Sequence, residues 1–216
     1  MTQNGPGHDG APLRFAGTGR QSVCLFGGTF DPPHVGHLMM AEVARETLGV
    51  GRVVFIPAGA PPHKLASDIT PLEDRLDMVR ASIALFPQFA LSTVEAQRSG
   101  PSYTVDTLRV FAAVGGAGLF LLLGADMLED LPNWREADEI NRLATIVAAP
   151  RSGKPLGALA AAHERRYGRT PIALDMPELD IASSWIRERV SGGLRVDPLL
   201  PAGVSRIIEQ RGLYRP

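Results

Sequence analysis

The sequence predicts an α/β chain built as a Rossmann-like, doubly wound, mostly parallel sheet with helices on both faces. Three observations lead there. Short, β-prone apolar runs alternate with segments of helical periodicity from residue 22 onward, the pattern of strands joined by crossover helices. One run, Leu119 to Leu123, is apolar without interruption, as a strand covered on both faces must be. The first run, Ser22-Val23-Cys24-Leu25-Phe26, passes directly into a glycine turn and then a helix, an order that presents backbone N–H groups to an anion.

Taken in order, Ser22 to Phe26 reads as a buried parallel strand. The apolar series Leu38, Ala41, Val43, Ala44 and Leu48 has helical spacing, and Gly49-Val50-Gly51 ends it. Val53 to Ile56 is the second strand, stopped by Pro57. Thr70-Pro71-Leu72-Glu73 reads as a capping box with proline at the first helical position, opening a helix with Leu72, Leu76, Val79 and Ile83 on its core side. A strand is expected over Phe89 to Val94, a helix over Thr104 to Val114, and the sheet centre at Leu119 to Leu123. Trp134 to Leu143 reads as helix, Thr145 to Ala149 as strand, Leu156 to Tyr167 as an alanine-rich helix and Pro171 to Leu174 as strand. Helices over Ser183 to Val190 and Pro201 to Arg211 follow, the last closed by Gly212.

The chain has 216 residues, 44% of them hydrophobic, enough for one substantial core. No break in charge or composition divides it, so one domain is expected over residues 21–216. Residues 1–20 carry five glycines and two prolines without apolar periodicity and read as a disordered lead rather than a secretory signal. A net charge of −1 speaks against broad nucleic-acid binding, which needs a basic surplus on one face. No apolar run reaches membrane-spanning length. The one cysteine, Cys24, permits neither an internal disulfide nor a cysteine-cluster metal site, and a cytoplasmic location is expected. Arg165-Arg166 with Arg169 reads as a solvated helix end.

The chemistry concentrates in Gly27-Gly28-Thr29-Phe30-Asp31-Pro32-Pro33-His34-Val35-Gly36-His37. Glycines let backbone approach a ligand with no Cβ in the way, and a helix N-terminus favours anions. His34 and His37, three apart in the first helical turn, project to one side and can share one phosphate. In doubly wound sheets ligands sit beyond the carboxyl ends of the strands, where strand order reverses. Gly27 to His37 follows the first strand, Pro57 to Lys64 the second and Gly124 to Asp126 the central one, so all three can converge on one crevice. Ser183, Ser184 and Arg187 open a late helix, where hydroxyls, amides and a planar cation suit phosphate oxygens. Each has a plainer alternative: Lys64 as a solvated loop lysine, Ser183 or Ser184 as an N-cap, Asp126 as the cap of a helix after Gly124, Trp134 as core.

At these residues the chain resembles the nucleotidylyltransferase superfamily, with its T/H-x-G-H signature, and within it the bacterial nicotinate-nucleotide adenylyltransferases. Pro61-Pro62-His63-Lys64 is similar to that family's PPH-K/R loop, Ser102-Tyr103-Thr104 with Thr107-Leu108 to its SYT-x-x-TL segment, and Gly124-Ala125-Asp126 with Trp134 to its G-x-D…W segment. Ile181-Ala182-Ser183-Ser184-Trp185-Ile186-Arg187 resembles its ISxT-x-IR segment, and the ending Gln210 to Tyr214 also fits. The resemblance implies a sheet of nucleotidylyltransferase type and adenylyl transfer from ATP to nicotinate mononucleotide, giving nicotinate adenine dinucleotide and pyrophosphate. It implies catalytic roles for His34, His37, Lys64 and Arg187, and ATP contacts from Gly27, Gly28, Thr29, Phe30, Gly36, Gly124, Asp126, Ser183 and Ser184. Ser102, Tyr103, Thr104 and Trp134 would enclose the nicotinate end, and Mg²⁺ would arrive with ATP rather than in a protein cage.

Two places depart from the family pattern. Ala182 and Ser184 replace the usual serine and threonine of the late motif, and Pro150-Arg151-Ser152-Gly153 stands where R-P-G is usual, which puts the role of Arg151 in question. Two other readings remain at the sequence level: transfer to another acceptor, as in phosphopantetheine adenylyltransferase, and a non-catalytic nucleotide sensor. A P-loop enzyme is excluded, since no G-x-x-x-x-G-K-[ST] occurs.

Overall fold

Side chains alternate across the pleat of the first strand, β1 (Val23–Gly28), and feed two separate apolar layers. The computed structural model describes residues 22–61, 69–114 and 118–215; residues 1–20, expected to be a disordered lead, lie outside them, as does Lys64. Val23 and Leu25 join Val54, Ile56, Leu121 and Ile146 on one face. Cys24 and Phe26 join Val53, Phe55, Leu122 and Val147 on the other. Each fully buried side chain of this kind contributes about 1.5–3 kcal/mol, so a face flipped by one residue would be strongly disfavoured.

The remaining strands are β2 (Val53–Pro57), β3 (Phe89–Leu91), β4 (Leu119–Gly124), β5 (Thr145–Ala149) and β6 (Ile172–Ala173). They form one sheet in the order β3-β2-β1-β4-β5-β6, with every pairing parallel. The expected parallel sheet is found. The order runs outward in both directions from the β1–β4 pair, so the reversal lies between the carboxyl ends of these two strands.

Helices α1 (Val35–Leu48) and α2 (Leu72–Ile83) cover the Cys24 face, through Ala41, Ala44, Val79 and Ile83. The opposite face is covered by α3 (Thr104–Ala113), α4 (Ala125–Asp130), α5 (Ala137–Leu143) and α6 (Leu156–Tyr167), through Leu108, Leu128, Ile140 and Leu159. The last helices, α7 (Ser183–Ser191) and α8 (Ala202–Arg211), form a third apolar cluster of Ile186, Val204 and Ile208 against Met78 of α2. That cluster brings α7 beside the first turn. Gly203 permits the close approach, since a Cβ there would stand 2.9 Å from that of Ala81.

Four local expectations change. Pro71 is the N-cap residue of α2 rather than its first helical residue, and no side chain caps the helix; the Thr70 N–H goes instead to Asp31 Oδ2 at 3.2 Å. The helix expected from Trp134 begins at Ala137, because Glu136 adopts a left-handed φ of 53° that breaks the helical run. Trp134 ends a 3-10 turn over Leu131–Asn133, and α4 is an additional helix before it. Strand β3 stops at Leu91, where the Ser92 N–H makes the last bond to Phe55. Burial pushes the Cys24 thiol up to about 12, so it behaves as a small apolar core residue.

Candidate active site

At the end of β1, Gly27 is exposed, and a Cβ built on it would meet nothing within 4 Å. The backbone there faces open space. Phe30 follows with φ 50°, a costly conformation for a bulky residue. Its ring is 2% exposed and wedged edge-on against Phe26 at 5.4 Å, burial large enough to offset the roughly 1–3 kcal/mol of such strain. A contact from Phe30 to a nucleotide would therefore be made by its backbone. Its ring belongs to the core and leaves only backbone for a ligand.

The histidines are paired as expected, with one adjustment. His34 is not inside the helix but is the N-cap of α1, at φ −138° and ψ 171°. An N-cap keeps its own N–H outside the helical ladder, and this one donates to His37 Nδ1 at 3.1 Å. Because Nδ1 accepts, the ring proton of neutral His37 sits on Nε2, ready to donate. The two rings lie 3.7 Å apart at 31°, and the His37 ring also packs 5.1 Å from Phe30. A Cβ on Gly36 would stand 3.0 Å from His34 Nδ1, so the residue between the histidines must lack one for this stacking.

His34 is 6% exposed, and its Nδ1 is buried without a partner among the described residues. Burial, reinforced by the Arg151 cation, lowers its pKa from 6.5 to about 4. Burial, then the His34 ring, then Arg151 hold His37 well below its usual value. Both imidazoles are neutral at pH 7 in the unliganded protein. The pair thus presents N–H donors without carrying charge.

A buried cation braces the turn from behind. Arg75, 1% exposed, donates to the carbonyls of Thr29 at 2.9 Å, Ala58 at 2.8 Å and Thr70 at 3.0 Å. This residue was not anticipated, although its place four before Val79 on the buried face of α2 was visible. Asp31 is gripped from the C-terminal cluster: Tyr214 Oη donates to its Oδ1 at 2.6 Å, and Arg187 to its carbonyl at 2.8 Å. Ser183 Oγ donates to the Pro32 carbonyl at 2.8 Å, while Ala182 is the N-cap of α7. Ser183 is therefore a tie between α7 and the turn rather than a cap. Ser184, the second residue of α7, is exposed beside it.

Across the strand-order reversal, β4 ends at Gly124 and Asp126 opens α4. Asp126 folds back so closely that a Cβ on Gly124 would stand 2.6 Å from its Oδ1. Its Oδ2 accepts from Arg151 at 3.1 Å. Arg151 follows β5 by two residues and its charge is felt at both histidines. The arginine whose role the departure from R-P-G puts in question is thus the partner of Asp126. Its signal was its place just past a strand's carboxyl end.

The chain that carries this glycine turn and these paired histidines has known relatives. The profile of the cytidylyltransferase-like family matches residues 25–189. A protein of Dehalococcoides mccartyi strain CBDB1 named "Probable nicotinate-nucleotide adenylyltransferase" is 43% identical over 194 residues, covering 88% of this chain and 95% of its own. One of the same name from Geobacillus thermodenitrificans is 42% identical over 193 residues, covering 89% and 85%. The chain belongs to the nicotinate-nucleotide adenylyltransferase family. The solved Plasmodium falciparum nicotinic acid mononucleotide adenylyltransferase complexed with NaAD shares the fold, with a TM-score of 0.76 at 17% identity over 90% of this chain and 97% of that one.

The segments that the resemblance assigns to the acceptor open α3 and follow α4. Tyr103 is the N-cap of α3, Thr104 its first residue, and the Arg135 guanidinium lies 4.6 Å over the Tyr103 ring. Arg135 is adjacent to Trp134, whose Nε1 donates to Asp130 at 3.0 Å, so the two acceptor segments do meet. Ser102, expected on the acceptor side, is turned into the protein. It is buried, and its Oγ accepts the N–H groups of Gly59 at 3.1 Å and Ala60 at 3.2 Å, which makes it a brace of loop backbone. Among the described residues, no group of three or more His, Cys, Asp or Glu side chains is placed to hold a metal ion, and no helix is long and apolar enough to cross a membrane.

Proposed function

We infer that this enzyme transfers the adenylyl group of ATP to the 5′-phosphate of nicotinate mononucleotide, releasing pyrophosphate and forming nicotinate adenine dinucleotide. The observation that carries the reading is the stacked, neutral His34–His37 pair at the N-terminus of α1, directly beyond the Gly27–Gly28 end of β1. Donors cluster where a polyphosphate would lie, and no nucleophile or covalent carrier is required.

An oxygen of the acceptor phosphate attacks the α-phosphorus; the new O–P bond forms as the bond to the bridging α–β oxygen breaks, and pyrophosphate leaves with that electron pair. The acceptor phosphate is already anionic at neutral pH, so no general base is needed. What the protein supplies is alignment of two anions and dispersal of charge at the reacting phosphorus. His37, with its proton on Nε2, and the His34 ring donate to phosphate oxygens of ATP. The free N–H groups of the first turn of α1, with the Gly27, Gly28 and Thr29 backbone and Gly36, line the same path. Asp126 takes the adenosine side and exchanges its Arg151 contact for the nucleotide.

Arg187 spends one of its five N–H donors on Asp31 and turns others to the departing pyrophosphate, beside Ser184 and the first amides of α7. Lys64 joins them by the family resemblance of its loop. A bound polyphosphate also reverses the balance that keeps protons off the two imidazoles, since an adjacent anion favours the charged form. Mg²⁺ is part of the substrate, MgATP. Tyr103, Thr104 and the Trp134 region receive the nicotinate ring, and a cationic ring suits an aromatic face. A cytoplasmic location goes with this reading, on the need for ATP.

The test is pyrophosphate release by the purified chain with ATP and Mg²⁺, supplied in turn with nicotinate mononucleotide, nicotinamide mononucleotide and phosphopantetheine. Release that depends on nicotinate mononucleotide is expected. Release that depends on phosphopantetheine would replace the acceptor, and release with none of the three would replace the enzyme reading with a nucleotide-binding one.

A further inference from the structure

Two hydroxyls of the acceptor segment, those of Ser102 and Thr107, converge on one buried carboxylate. Glu95 is 7% exposed, and its Oε1 accepts from Thr107 Oγ1 at 2.7 Å. The Ser102 hydroxyl lies near the same carboxylate and helps offset the rise in pKa that burial imposes on it. The Ser102 oxygen already accepts two backbone N–H groups, which can only donate, so its own proton is free to turn toward the carboxylate. Thr107 likewise donates, with Arg98 reaching its oxygen at 3.4 Å. Burial raises the Glu95 pKa while Thr107, Arg98 and Ser102 oppose the rise, so these neighbours favour the ionised form, which can accept from both hydroxyls. A neutral or amide side chain in its place has one fewer acceptor and must turn a donor toward one of them.

The consequence is a lock between two loops. Gly59 and Ala60, beyond the end of β2, are held by Ser102 Oγ, and the Ala60 carbonyl accepts the Ser102 N–H at 2.9 Å. Gly59 lies so close that a Cβ would stand 2.4 Å from the Glu95 carbonyl oxygen, a contact only glycine tolerates. On the far side of the carboxylate, Thr107 fixes the first full turn of α3. Tyr103, between the two hydroxyls, is thereby set at one position and angle, with Arg135 over its ring. The ATP side is braced chiefly by Arg75 on Thr29 and Ala58, and this brace reaches the lock only through a long 3.4 Å contact to the Gly59 carbonyl.

We propose that Glu95 is a positioning residue for the acceptor mononucleotide, acting through Ser102 and Thr107 to fix Tyr103 and Thr104 while leaving ATP binding to the Arg75 brace. The proposal rests on the reading of residues 102–104 as the acceptor side of an adenylyltransferase.

The experiment measures kcat and both Michaelis constants for wild type, Glu95→Gln and Thr107→Val, with thermal midpoints alongside. In Glu95→Gln the KM for nicotinate mononucleotide should rise about tenfold, the lower end of what losing a charge-assisted hydrogen bond produces, and in Thr107→Val about fivefold. The KM for ATP should stay within about twofold in both, because its brace is untouched. An unchanged acceptor KM in the variants overturns the proposal, as does an equal rise in both constants, which marks a merely structural role. Should Glu95→Gln fail to fold, Thr107→Val decides by the same criteria. A wild type that releases no pyrophosphate with nicotinate mononucleotide sinks the functional reading instead, so the two failures are separable.

Discussion

Gly36 offers the sharpest separation of activity from stability. Replacing it with alanine puts a methyl group 3.0 Å from His34 Nδ1 and 3.2 Å from its Cε1. Comfortable contact between such atoms begins near 3.5 Å, so the ring must yield by about 0.5 Å. It has little room to do so, being 6% exposed and stacked 3.7 Å from His37. The shift is therefore passed to His37 and to the hydrogen bond between His34 N–H and His37 Nδ1. A misplacement of 1 Å costs about 100-fold in a well-aligned transfer, so half of that predicts a fall in kcat of about tenfold. Stability should hardly move. Alanine in a helix gains up to about 1 kcal/mol over glycine, which offsets the low end of the roughly 1–3 kcal/mol expected for overpacking. Steady-state pyrophosphate release and urea denaturation on the same preparation give both numbers. A Gly36→Ala variant that folds normally and keeps kcat within twofold of wild type would refute the idea that the glycine exists to let the rings stack.

Two further outcomes follow from the same contacts. Tyr214→Phe keeps the ring but removes the 2.6 Å donor to the buried Asp31 carboxylate, and should lower unfolding free energy by about 2 kcal/mol; burial and Asp31 hold the Tyr214 hydroxyl in its protonated, donating form. A loss below about 0.5 kcal/mol in chemical denaturation would mean the hydroxyl does not brace the turn. His34, with its pKa lowered from 6.5 to about 4, binds protons more readily in the unfolded chain within that window. Its contribution is complete above pH 6.5 and is lost as pH falls toward 4, by about 2 kcal/mol at pH 5. His34→Gln should flatten the pH dependence of the urea midpoint over that range, and parallel curves for variant and wild type would contradict the assigned shift.

Much of the fold was legible because the signals that carry it are local. Strand β5 and helix α6 occupy the residues that their periodicity marks, Thr145–Ala149 and Leu156–Tyr167, since a two-residue or 3.6-residue apolar repeat is a property of neighbouring residues. The same holds for the glycine turn and the placing of Gly124 and Asp126 at a strand end. The misses share another origin. Thr70 seemed to cap α2, but its N–H is taken by Asp31, 39 positions away. Ser183 reads locally as a cap, but its hydroxyl proton goes to Pro32, 151 positions away. Arg75 and Glu95, both ionisable and both buried, have partners whose identity no local pattern encodes.

By itself the sequence determined the element types, the glycine and histidine turn and the family to which the chain belongs, because periodicity, turn chemistry and motif spacing are written within a few tens of residues. Tertiary structure alone decided the strand order β3-β2-β1-β4-β5-β6, which places the ends of β1 and β4 side by side. It also decided that His34 caps α1 rather than lying within it, that Arg151 pairs with Asp126, and that Tyr214 closes onto Asp31. The physical reason is that burial lowers the dielectric around these polar groups and forces each to find a partner, and the nearest partner is set by which chain segments the apolar layers have already packed together.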